Sequence, residues 1–157
     1  MQISKNFTLE ELYASETAKR LHIDNTPNDQ EIESLKRLVL EILQPIRDRY
    51  GKPIKINSGF RCLALNKATG GSSTSQHKLA QAADISVVRG KNRELFWIIY
   101  DMINSGELKV GQLIWEFGDN KEPSWIHVSL PYTKINNILQ AKKINGATKY
   151  IPFKLSR

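Results

Sequence analysis

From Asn28 or Asp29 to Tyr50, apolar residues at Ile32, Leu35, Leu38, Val39, Ile42, Leu43 and Ile46 keep a helical period, and Gly51 follows as a C-terminal stop. A helix with such a stripe must be covered by other elements, so this is read as the main core helix. Pro45 lies inside the pattern, where its ring removes one backbone donor and crowds the preceding turn, which predicts a kink or a division. A second helical pattern runs from Lys91 to Asn104, with Leu95, Ile98, Ile99, Met102 and Ile103 on its core stripe. Near the start, Thr8 as N-cap and Glu11 three residues on make a capping box for a short surface helix, with Phe7 able to staple against Leu12. Leu63 to Ala68 can form one more brief helix.

Elsewhere the period changes to two. Lys52 to Ser58 alternates like a short strand that ends at Gly59. Ala82 to Val88 reads as a buried strand with Asp84 and Ser86 on one face and Ile85 and Val87 on the other. Gln112 to Phe117 and Trp125 to Leu130 are expected to pair as a hairpin across the Gly118-Asp119-Asn120 turn region and Pro123. Ile138 to Ile144 and Ala147 to Phe153 flank Asn145-Gly146, a pair suited to a type I′ turn, which predicts a second hairpin.

A length of 157 residues matches one domain, expected to span 1–157 and to bury a core without staples. Cys62 is the single cysteine, so no internal disulfide forms, and a structural thiol is its expected role. No apolar run approaches the ~20 residues that span a bilayer, which argues against membrane insertion. Met1 to Lys5 lacks the apolar core of a secretory signal, so the chain is expected in the cytoplasm as synthesised. A net charge of +7, from 23 basic and 16 acidic residues, favours an anionic partner: nucleic acid, an acidic membrane surface or a cell-wall polymer. The chain has no basic stripe with interleaved aromatics, so specific nucleic-acid binding is not expected.

Chemistry concentrates in two places. Ser72 to Asp84 holds His77 at a Ser-rich loop and ends on the Asp84 carboxylate. In Trp125-Ile126-His127-Val128-Ser129, alternation sends Ile126 and Val128 one way and Trp125, His127 and Ser129 the other. Two imidazoles and one carboxylate are a ligand set of a catalytic zinc, one per chain, with the fourth tetrahedral position left to water. The same residues also fit a buried histidine hydrogen-bonded to Asp84, with His127 an unrelated strand residue. His22, isolated in the connector Arg20 to Pro27, is assigned a solvent-exposed or packing role.

Together, Ser58-Gly59-Phe60-Arg61, Ser75-x-His77, the six residues between His77 and Asp84, Ala82 ahead of that aspartate, and Trp125-x-His127 resemble the zinc D-alanyl-D-alanine carboxypeptidase family. That family shares its fold and metal site with lysostaphin-type endopeptidases and the hedgehog signalling domain. The resemblance implies an α+β domain, a small antiparallel sheet flanked by helices, with zinc held by His77, Asp84 and His127. It also implies cleavage of peptidoglycan stem peptides, by a carboxypeptidase or an endolysin-type endopeptidase. The family usually has glycine where this chain has Ala80, so the backbone there must accept a Cβ. Such a hydrolase needs a group that takes a proton from water and passes it to the leaving amine. Glu116, among apolar neighbours on its strand, is the first choice, and Glu122, before Pro123, the second. Arg61 matches the family's clamp for a substrate carboxylate, to which a guanidinium offers a planar fork; an ordinary surface salt bridge is the alternative. Ser75 and Gln76 are expected to donate to the substrate or orient the loop, and Trp125 to pack beside the metal. Such an enzyme is expected to act as a monomer, on the cell wall once released, as a phage lysin would be. A catalytically inactive zinc-binding interaction module of the same fold is the alternative.

Overall fold

The first helix is fixed by its own cap. In the computed structural model, which describes residues 1–157, the Glu11 N–H donates to Thr8 Oγ1 and the Thr8 N–H donates to the Glu11 carboxylate, starting α1 (Leu9–Tyr13). Phe7 and Leu12 are both buried, as the staple requires. A further one-turn helix follows, α2 (Glu16–Arg20), capped by Ser15 Oγ. The main core helix begins as α3 (Asp29–Leu38), with Asn28 and Glu31 capping each other reciprocally.

The long helix runs on through Pro45 without a break, but its hydrogen-bond period changes just before the proline. Residues Val39–Leu43 form a π turn, in which the Gln44 N–H reaches back to the Val39 carbonyl, and a regular helix, α4 (Gln44–Tyr50), resumes with Pro45 in its first turn. Pro45, which has no N–H to donate, follows directly on that wider turn. Gly51 closes α4 in the left-handed conformation, at φ 75°.

Six strands form one sheet: β1 (Ile54–Ser58), β2 (Ala82–Val87), β3 (Gln112–Glu116), β4 (Trp125–Ser129), β5 (Asn137–Ile144) and β6 (Ala147–Pro152), in the order β1-β2-β4-β3-β5-β6. The α+β class is as expected. The sheet is mixed rather than wholly antiparallel, because β5 lies parallel to β3. Asn136 accounts for that entry: its N–H donates to the Val110 carbonyl and its Oδ1 accepts from the Val110 N–H, locking the start of β5 beside the start of β3. The two expected hairpins form, β3 with β4 and β5 with β6, the latter across Asn145 and Gly146, both at positive φ.

Strand alternation divides the sheet's faces. Ala83, Ile85, Leu113, Trp115, Ile126 and Val128 point into a core shared with α3, α4 and α6 (Asn92–Asn104). Asp84, His127, Ile114 and Glu116 therefore project from the other face. The short helix α5 (Leu63–Ala68) leads from β1 into the Ser-rich loop. No helix is long and apolar enough to cross a membrane.

Candidate metal centre

Asp84 on β2 stands directly opposite His127 on β4, and His77 comes in from the loop between α5 and β2. That loop is turned tightly: the Leu79 and Gln81 N–H groups both donate to the Gln76 carbonyl. Ala80 sits at φ 57°, a left-handed conformation that glycine adopts without strain, and its carbonyl accepts from Ser34 Oγ. The chain thus tolerates a Cβ at the turn by packing it in the core, where Ala80 is fully buried.

The ring nitrogens are assigned by their second partners. His77 Nδ1 lies 2.7 Å from the Gly59 carbonyl oxygen, which can only accept, so Nδ1 carries the proton and Nε2 keeps its lone pair. That Nε2 is 3.3 Å from Asp84 Oδ1. His127 presents Nδ1 to the same oxygen at 3.1 Å, while its Nε2 lies 3.3 Å from Gln76 Oε1. Two donors on a tetrahedral zinc, each ~2.0–2.1 Å from the ion, stand about 3.3 Å apart. One ligand atom from each of the three residues lies within 4.8 Å of the other two, and both imidazoles turn a ring nitrogen to Asp84 Oδ1. The donor set fits zinc in number, type and spacing, and the carbonyl behind His77 and the amide behind His127 are the outer partners that hold metal-binding imidazoles in place.

Electrostatics separate the two carboxylates. Burial pulls the Asp84 pKa up, but the paired imidazoles pull harder, and the carboxyl is held well below the usual range. Glu116 is pushed up to about 7 by burial, with His127 opposing the rise and Asp84 adding to it. A bound dication would pull Glu116 back down.

The other expected residues are placed as follows. Arg61 lines the cleft over the metal ligands, donates to Ser75 Oγ, and has a buried Nε without a partner. Ser75 Oγ also accepts from the His77 N–H, so this residue ties the guanidinium to the ligand loop. Gln76 faces His127, and Trp125 lines the cleft, tilted against Phe117. Glu122 is outside this group: its carboxylate accepts from the N–H groups of Asn92 and Arg93 and caps α6. His22 is exposed, at φ 53°, and takes no part in the cluster. The carbonyl of Gly59 and the ring of Tyr150 also belong to the site, although neither has a local sequence signal: one is a backbone group, the other lies far along the chain.

The Peptidase M15 family model matches residues 5–129, a span that carries Arg61, His77, Asp84, Glu116 and His127. No curated protein matches the chain.

Proposed function

The chain belongs to the Peptidase M15 family, and from that premise we propose that it hydrolyses a peptide bond of peptidoglycan stem peptides with one zinc ion. The observation that carries the reading is the convergence of His77 Nε2, Asp84 Oδ1 and His127 Nδ1 at the spacing of a tetrahedral zinc, on the same sheet face as the buried Glu116 carboxylate. Held by these three residues, zinc would supply the Lewis acidity that makes water a nucleophile near neutral pH.

Glu116 is positioned for proton transfer. Burial pushes its pKa up to about 7, and a bound dication would bring it down toward the ionised form that accepts a proton from water. It takes a proton as water adds to the scissile carbonyl carbon, and delivers one to the amine nitrogen as the C–N bond breaks. The products are a new carboxylate and a new amine. Arg61 supports binding of a peptide carboxylate: its buried Nε has no partner in the chain, and a guanidinium engages a carboxylate with two parallel charge-assisted bonds. In this reading the 157 residues act as one domain and as a monomer, and the net charge of +7 draws the protein to an anionic cell wall.

The test is to incubate zinc-loaded protein with purified stem peptides and count new amine termini. Release that stops on chelation and returns with zinc is the expected result. Stoichiometric zinc with no release from any stem peptide would leave a zinc-binding interaction module instead.

A further inference from the structure

Residues 130–157 lie beyond the stretch matched to the family, yet part of this segment forms a wall of the cleft. The sheet register explains how. Glu116 on β3 is paired with Ala141 on β5, and Ala141 with Tyr150 on β6. Residues paired across neighbouring strands share a face, so Tyr150 projects on the same side as Glu116, with only the Ala141 methyl between them. Two strand spacings of ~4.8 Å separate the Tyr150 and Glu116 backbones, and the small Ala141 between them leaves room for the two side chains to lean toward each other. In the next row of the same face, His127 is paired with Ile114 and Ile114 with Leu139, so the hairpin continues the surface that starts at the metal ligands.

Tyr150 has no evident structural duty. Its residue is 56% exposed, on an edge strand at the lip of the cleft. Its hydroxyl nevertheless responds to the interior: burial raises its pKa, with Glu116 and Asp84 adding to the rise and Arg61 opposing it. No group of the chain hydrogen-bonds that hydroxyl. It is therefore a protonated donor at neutral pH, without a partner, close to the proposed base and clamp.

We propose that Tyr150 is a substrate-positioning residue, whose hydroxyl donates a hydrogen bond to an oxygen of the peptide lying between Arg61 and Glu116. The C-terminal hairpin is then part of the substrate site and not only an edge of the sheet. This assignment rests on the peptidase reading above.

The test compares wild type, Tyr150→Phe and Tyr150→Ala in zinc content, melting temperature, KM and kcat on one stem peptide. Tyr150→Phe is expected to raise KM by about 2–10-fold, the size of one neutral hydrogen bond, with kcat within about twofold. Tyr150→Ala should raise KM further, because the ring face is lost too. Zinc content and melting temperature should stay at wild-type values in both, since the side chain is largely outside the core. Variants that match a cleaving wild type in KM overturn the assignment alone. Variants whose KM rises only with a lost zinc or a lowered melting temperature also overturn it, in favour of a structural role. A wild type that cleaves no stem peptide overturns the peptidase reading and this assignment with it.

Discussion

Two carboxylates 32 positions apart, Asp84 and Glu116, emerge on one face of the sheet and are driven in opposite directions. Asp84 is buried between two imidazoles and stays ionised, as a ligand must. Glu116 is buried, and its desolvation outweighs the opposing pull of His127, so it resists ionisation. The difference has a measurable consequence. Glu116 has a folded pKa of about 7, and a glutamate in an unfolded chain titrates near ~4.3. Between these values the folded state holds a proton that the unfolded state has released, so stability falls as pH rises, and the loss is complete above pH ~7. In chelated protein, Glu116→Gln should melt with wild type near pH ~4 and be more stable at pH ~8 by about 1–3 kcal/mol, an amount reduced for the residual exposure of the site. Thermal melts at the two pH values check this, and a variant no more stable than wild type at the higher pH would contradict it.

At the scale of elements, the site depends on how β1 ends. Gly59 follows β1, and a Cβ built there would stand 2.1 Å from the Leu12 carbonyl oxygen, so α1 and this turn touch through backbone alone. The same turn carries the carbonyl that fixes the His77 tautomer, and the Phe60 N–H donates to the Leu12 carbonyl. Gly59→Ala must therefore push the turn and its carbonyl aside. The expected outcome is a loss of about 1–3 kcal/mol in stability and a 10–100-fold weaker zinc affinity, the range seen when an outer-sphere partner is lost. Competition with a chromophoric chelator measures the affinity, and unchanged binding would show that Gly59 does not set the imidazole. Local elements of this kind were legible in the sequence where a short-range device defines them: the Thr8–Glu11 box, the Gly51 stop, the Asn145-Gly146 turn. The π turn at Val39–Leu43 was visible only as a conflict between Pro45 and an unbroken apolar stripe. The parallel placement of β5 was not legible, since it is fixed by Asn136 reaching Val110, a contact with no periodic trace in the chain.

On the scale of the whole molecule, the site is a product of topology. The sheet order brings β2 beside β4 and so sets Asp84 against His127, 43 residues on, while β3, β5 and β6 carry Glu116, Ala141 and Tyr150 in one row. His77, Asp84 and His127, the three residues that could hold a metal, were singled out in the sequence by the motifs that flank them, since two histidines and an aspartate alone fit a buried His–Asp pair as well. Glu116 could be preferred over Glu122 from its apolar neighbours, and the structure places Glu122 on the N-terminus of α6 instead. Sequence alone offers Gln76 as a donor to the substrate or an orienter of the loop, and its contact with the far nitrogen of His127 arises only when the loop folds over β4. Tyr150 left no signal, because an exposed tyrosine on an edge strand looks like any other until the register is known. The central claim, hydrolysis of cell-wall peptide at this zinc-competent centre with Glu116 moving the proton, is tested most directly by mass spectrometry of muropeptides digested with zinc-replete wild type and Glu116→Gln. Wild type is expected to split the stem peptide with uptake of one water, and the variant, holding the same zinc, to do so slower by roughly two to four orders of magnitude; equal rates for the two proteins, or intact muropeptides with wild type, would contradict this.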